Sequence, residues 1–198
     1  MMEFLNQYKL ILGSKSPRRK QLLEGLGFSV EVREQQVEEI VPNGISLKDI
    51  PAYLAELKAS AFLCSEIKQN EVVVTADTAV ILGDLVLGKP KNEVEAFAFL
   101  KKLSGNTHFV VTGVCLKTFE KKQTFSSETF VSFRELSDEE IQHYVSTFKP
   151  MDKAGAYGIQ EWIGHIGVES IQGSYFNVMG LPTQKLFVEL KKLLKSDE

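Results

Sequence analysis

Cysteine is scarce in this sequence, with two residues, Cys64 and Cys115, among 198. Each lies in an apolar stretch, so the expectation is two buried thiols in a reducing compartment and no disulfide framework. Histidine is scarce too: His108, His143 and His165 lie far apart, without metal or triad spacing, and a Cys/His zinc site is not expected. Long apolar runs are missing. The longest, such as Ala79–Leu82, fall far short of the ~20 residues a spanning helix needs, so no membrane partner is expected. The opening Met-Met-Glu-Phe-Leu-Asn-Gln has neither a basic n-region nor a long apolar core, so no leader is expected and the location is expected to be cytoplasmic. A basic excess is also lacking. Lys and Arg number 23 against 26 Asp and Glu, a net charge of −3, which argues against a protein that coats DNA or RNA. It does not oppose a small anionic ligand, because local charge can differ from net charge.

What is present suits a soluble globular chain: 43% hydrophobic and 25% charged residues, with no repeat, low-complexity tract or long linker. The length fits a single domain over residues 1–198, large enough for two lobes. Short strands alternate with helices. Lys9–Gly13 reads as a strand, after which Ser16-Pro17 opens a helix with an N-cap serine and a first-turn proline. Phe28, Val30 and Val32 alternate with Ser29, Glu31 and Arg33, a period-two strand. The spacing of Leu54, Leu57, Ala61 and Phe62 predicts a helix from about Lys48 to about Lys68. Val72–Leu82 reads as a strand turning at Gly83-Asp84 into Leu85–Leu87. A capped helix follows Asn92, and two long strands, His108–Phe119 and Thr124–Phe133, flank a polar turn. Ser137-Asp138-Glu139-Glu140 is a capping box. Strand-like pieces lie near Ile166–Ile171, and a last helix follows Thr183. Hairpins exclude an all-parallel sheet, so the expected class is α/β with a mixed sheet flanked by helices.

Five places have the makings of chemistry. Gly13-Ser14-Lys15-Ser16-Pro17-Arg18-Arg19 lies at a strand-to-helix junction, where free N–H groups, hydroxyls and guanidinium groups suit phosphate oxygens. The same residues also read as an ordinary capped helix with solvated arginines, and they lack the Gly-Lys-Ser/Thr ending of a Walker A loop. Asp77 interrupts an apolar strand, where a carboxylate is costly to bury unless paired or metal-bound; the alternative is a strand end facing water. Glu38-Glu39 offers hard oxygen ligands in a polar loop, or plain surface charge. Lys58, Lys89 and Lys153 are lone lysines, the last two in tight-turn settings. Tyr157-Gly158-Ile159-Gln160 and Gly173–Asn177 hold amides able to both donate and accept, as a base edge requires.

These pieces occur in order along nearly the whole chain. Ser14-Lys15-Ser16-Pro17-Arg18-Arg19, Ala76-Asp77-Thr78, Gly88-Lys89-Pro90, Leu103–His108, Leu136–Ile141, Asp152–Gln160 and Gly180-Leu181-Pro182 together resemble the Maf, or septum-formation-inhibitor-like, family of nucleoside triphosphate pyrophosphatases. The resemblance implies a fold related to inosine triphosphate pyrophosphatases, with two lobes around a cleft, usually as a homodimer. It implies hydrolysis of a nucleoside triphosphate to the monophosphate and pyrophosphate, clearance of non-standard nucleotides and a link to cell-division arrest. It places Ser14, Arg18, Arg19, Lys58, Lys89 and Lys153 at phosphate-binding positions. Glu39 and Asp77 fall at acidic positions that bind Mg²⁺ or Mn²⁺, with Asp77 as proton acceptor. Arg18, Thr78 and Gln160 agree with the dTTP/UTP branch, whereas the 7-methyl-GTP branch typically carries tryptophan, glutamine and glutamate there. The chain departs from the family pattern at Thr75 and Glu161, where glycine is common, and at Val37-Glu38-Glu39, in place of an Asp-Glu ending. A different class of function, a nucleotide-binding regulator of cell division with little turnover, is the alternative. Removal of the γ-phosphate is a third reading.

Overall fold

The computed structural model describes residues 4–195; Met1–Glu3, part of the segment read above for a leader, lie outside that range. After a short helix α1 (Phe4–Gln7), strand β1 (Lys9–Leu12) leads into helix α2 (Pro17–Glu24) and strand β2 (Ser29–Val32). Serine and proline open α2 as the sequence requires: Ser16 Oγ accepts the Arg19 N–H at 3.4 Å, and Pro17 takes the first helical position. Helix α3 (Ile50–Ser60) precedes strand β3 (Glu71–Leu82), which turns at Gly83 into strand β4 (Leu85–Leu87). Helix α4 (Glu93–Leu103), strands β5 (Thr107–Lys117) and β6 (Lys122–Phe133), and helix α5 (Asp138–Phe148) follow. Then come helix α6 (Trp162–Gly167), strand β7 (Val168–Gln172), helix α7 (Tyr175–Val178) and helix α8 (Thr183–Lys195).

The seven strands form a sheet in the order β2-β1-β3-β5-β6-β7, with β4 paired to β3. β1 lies parallel to both neighbours, Leu12 opposite Val32 on one side and Val74 on the other, while β3–β4 and β6–β7 are antiparallel. This is the mixed α/β class the sequence implies. Leu10, Ile11 and Leu12 are all fully buried, as befits a parallel strand covered on both faces.

The chain divides into two compact units. The first comprises residues 1–77, 112–127 and 180–198. Its main core gathers Leu10 and Leu12 of β1, Leu23 of α2, Val72 and Val74 of β3, and Leu186 and Leu190 of α8. The second comprises residues 78–111 and 128–179, with a core built on Leu100, Val131, Phe133, Ile141 and Tyr144. The capping box opens α5 as expected: Ser137 Oγ accepts the Glu140 N–H and Glu140 Oε2 accepts the Ser137 N–H.

Three expectations need correction. α3 ends at Ser60, not near Lys68; the chain then leaves the helix so that Phe62 and Ile67 enter a small core with Ile11 and Val73, and Cys64–Glu66 form a 3-10 turn. Cys64 is consequently exposed, and only Cys115 is buried. Residues 162–167 are helical, so the strand expected from Ile166 begins at Val168.

In the first unit α3 crosses β5 at Gly113. A Cβ there would lie 2.2 Å from the Ala52 nitrogen and 2.3 Å from the Pro51 carbonyl carbon, both backbone atoms that cannot swing aside. Gly113→Ala is therefore expected to destabilise the protein by ~1–3 kcal/mol or more, the range for overpacking. The urea midpoint measures this, and an unchanged midpoint would contradict the close approach.

Candidate active site

Asp77 stands on β3, two residues after Thr75, so the two side chains share a face. Thr75 is buried, and its hydroxyl donates to the Ala55 carbonyl of α3 at 2.6 Å. Ala55 and Lys58 lie one helical turn apart. The residue that departs from the family's glycine thus fastens α3 to β3 beside the charged pair. The Lys58 ammonium meets Asp77 Oδ1 at 2.7 Å and Glu39 Oε1 at 3.2 Å. Lys58 and Asp77 are about one-fifth exposed and Glu39 about half, so the pair is partly screened from water and its loop partner is not.

Asp77 and Glu39 thus face one cationic centre. Their hard oxygen donors suit Mg²⁺ or Mn²⁺. Among the described residues no group of three or more His, Cys, Asp or Glu side chains converges. A cation at this pair would rest on two carboxylates plus substrate oxygens and waters, the usual habit of Mg²⁺. The residues present therefore fit such an ion.

The α2 junction behaves as built structure as well as a candidate phosphate cradle. Ser14 Oγ accepts the Ser16 N–H at 3.2 Å and an Arg19 Nη1 hydrogen at 3.4 Å. Arg19 also donates from Nε to the Gly180 carbonyl at 2.9 Å and from Nη1 to the Ala76 carbonyl at 2.8 Å. Burial draws its pKa below the ordinary value, and attraction to Asp77 opposes that. Arg19 thus braces the backbone next to Asp77, a role no spacing in the sequence reveals. Arg18, on the first turn of α2, is half-buried.

In the second unit, the Gly155 N–H donates to the Gly88 carbonyl at 3.1 Å, which brings the Lys89 and Lys153 segments side by side. Gly155 has φ 68°, a conformation that favours glycine. Lys89 is exposed, and its ammonium has no partner among the described residues. Lys153 is buried, yet its ammonium meets Asp152 at 2.7 Å and Glu161 at 3.0 Å. Thr78 follows Asp77 on β3 and is half-buried. Gln160 is half-exposed in the turn before α6. Tyr144, on the buried face of α5, was not singled out by its sequence; its hydroxyl donates to Glu161 and accepts the Gly158 N–H at 3.0 Å. A phenol on a helical apolar face reads as plain core, so the only signal was the Glu161 departure.

The chain shares 55% identity with a protein of Phocaeicola vulgatus named dTTP/UTP pyrophosphatase, over 98% of this chain and 100% of that one. A Porphyromonas gingivalis protein of the same name is 45% identical over the full length of both. Among solved structures, the Staphylococcus aureus Ham1 protein superposes with a TM-score of 0.51 at 15% identity, covering 94% of this chain and 100% of that one; this likeness concerns the fold alone. Residues 9–193 match the family described as Maf-like protein, and on that span, with relatives this close along their whole length, the chain belongs to the Maf-like protein family.

Proposed function

We propose that the protein hydrolyses dTTP and UTP to the nucleoside monophosphate and pyrophosphate. The observation that carries this reading is the convergence of Asp77 and Glu39 on one cationic centre, Lys58, at 2.7 and 3.2 Å. The names of relatives 45–55% identical support the substrate class. Water attacks the α-phosphorus, and the bond from that phosphorus to the bridging oxygen of the β-phosphate breaks. Asp77 orients the water and takes its proton, and the bridging oxygen leaves with pyrophosphate. Glu39 and Asp77 would hold a divalent cation, Mg²⁺ or Mn²⁺, which neutralises phosphate charge and acidifies bound water when present.

Each unit carries groups suited to the triphosphate. In the first, Ser14, Arg18 and Lys58 can meet phosphate oxygens, and Arg19 keeps the Ala76 carbonyl in place. In the second, Lys89 and Lys153 supply positive charge while Thr78 and Gln160 suit the base. A homodimer and a cytoplasmic location are part of the same proposal, the first resting on the family likeness. No helix among the described residues is long and apolar enough to cross a membrane.

The test is a panel of nucleoside triphosphates with Mg²⁺ or Mn²⁺, assayed separately for pyrophosphate and phosphate. Pyrophosphate from dTTP and UTP, abolished by EDTA, is the expected result. Phosphate alone, or activity indifferent to EDTA, overturns it; tight nucleotide binding without turnover points to the regulator. Gln160→Glu should depress kcat/KM for dTTP and UTP by roughly 1–3 kcal/mol, because a carboxylate cannot donate to a base carbonyl and leaves a buried acceptor unpaired. Lys89→Ala should weaken all triphosphates alike. Equal scaling of every substrate by Gln160→Glu, with a changed ranking in Lys89→Ala, would reverse this division.

A further inference from the structure

One phenol hydroxyl in the second unit holds both ends of a single turn. Residues 158–161 form a turn closed by the Glu161 N–H donating to the Gly158 carbonyl at 2.9 Å. The Gly158 N–H, at the turn's start, donates to the Tyr144 hydroxyl at 3.0 Å, and that hydroxyl donates onward to Oε2 of Glu161, at the turn's end. Tyr144 is fully buried and stacked on Phe148. Burial first, and the hydrogen bond to Glu161 next, hold its phenol well above the ordinary range, so it stays a donor. A Cβ at Gly158 would lie 2.8 Å from the Glu161 carboxyl carbon, so any side chain there would displace that carboxylate. Within the turn Gly158 and Ile159 are buried, Glu161 is held by Tyr144 and Lys153, and Gln160 is partly exposed, its amide without a partner among the described residues.

The other oxygen of the same carboxylate is engaged as well. Glu161 Oε1 meets the Lys153 ammonium at 3.0 Å, with Asp152 as that lysine's second carboxylate at 2.7 Å. One side chain therefore touches both the group assigned to phosphate and the frame of the group assigned to the base.

We propose that Tyr144 and Glu161 are positioning residues that set base specificity: together they fix the turn presenting the Gln160 amide, and Glu161 ties that turn to Lys153. This rests on the functional reading above, in which Gln160 meets the base and Lys153 meets phosphate.

Tyr144→Phe keeps the ring and its stacking but releases both ends of the turn, while Lys153 keeps both carboxylates. Glu161→Gln keeps the size but turns an acceptor for Tyr144 into an NH₂ group and neutralises a charge beside Lys153. For each variant, kcat/KM would be measured for dTTP, UTP, CTP and GTP, with inhibition by inorganic pyrophosphate as a probe of the phosphate side and thermal melting as a check of folding. Tyr144→Phe should lower the preference for dTTP over CTP by about five-fold, the worth of one net hydrogen bond, with pyrophosphate inhibition unchanged within about two-fold. Glu161→Gln should lower the same preference to a similar degree and tighten pyrophosphate inhibition by about three-fold, through the lost negative charge. The double variant should show no loss of preference beyond that of Tyr144→Phe, because that change already removes the Tyr144–Glu161 contact. Equal scaling of all four triphosphates by either single variant, additive losses in the double variant, or an equal shift of pyrophosphate inhibition in Tyr144→Phe would each overturn the inference while leaving the functional reading intact. A wild-type protein that releases no pyrophosphate from any triphosphate overturns the functional reading, and this inference with it.

Discussion

Asp77→Asn should slow pyrophosphate release from dTTP by ~10²–10⁴-fold in kcat, the range ascribed to a positioned general base. The substitution keeps the side chain's size and place on β3, and Lys58 retains Glu39 as a partner at 3.2 Å. What disappears is the proton acceptor and one of the two carboxylates that would hold the cation, so extra Mg²⁺ should not restore turnover. The Thr75 bond to Ala55 is untouched, so α3 should stay in position and the melting temperature should change little. Initial rates of pyrophosphate release and a melting curve on the same preparation decide the matter. A folded variant with near-normal kcat would remove Asp77 from the chemistry.

Stability should fall steeply as the pH drops from 6.5 towards 4, and His108 should account for about 3 kcal/mol of that loss. Its ring is fully buried, stacked on Phe133, and its Nε2 lies 2.8 Å from the Tyr157 hydroxyl. Nδ1 has no partner among the described residues. Desolvation lowers the pKa from 6.5 to about 4. The sign follows from proton uptake. Between these two values the unfolded chain binds a proton at His108 and the folded chain does not, so acid favours unfolding; above pH 6.5 the contribution is complete and constant. Carboxylates titrate in the same range, so the informative quantity is the difference between wild type and a variant without the imidazole. His108→Phe with Tyr157→Phe removes the ring nitrogens without orphaning the phenol. Urea unfolding of both proteins from pH 7.5 to pH 4 should give curves that converge on acidification. Parallel curves would mean that His108 titrates normally in the folded state.

Helix starts were the most legible part of the fold, because a cap is local chemistry. Ser16-Pro17 and Ser137–Glu140 carry their hydrogen bonds within four residues, and both helices begin where those residues say. The far end of α3 was not legible. Ala61 and Phe62 continue a helical apolar pattern, but Phe62 finds more burial beside Ile11 and Val73 than along the helix, a tertiary gain no local pattern contains. Residues 162–167 hide for another reason: six residues with two glycines are too short to display a helical period. In the candidate site the sequence pointed to the charged residues but not to what each one touches. Asp77 announces itself as a carboxylate in an apolar strand. Arg19 looks identical to Arg18 on paper, and only folding brings the carbonyls of Gly180 and Ala76 to its guanidinium. Tyr144 reads as core because its ring is core; only its oxygen is not.

The three separate stretches of the first unit impose an order on biosynthesis. Translation supplies residues 78–111 and 128–179 before the stretch from Gly180 onward, and domains tend to fold as their residues emerge. Yet that later stretch brings Leu181, Leu186 and Leu190 to the first unit's core and the carbonyl on which Arg19 rests. A nascent chain thus completes the turn that carries Gln160 before the surroundings of Asp77 are settled. Loss of the residues from Gly180 onward is therefore expected to leave the surroundings of Asp77 unfinished while the stretches of the second unit stay intact.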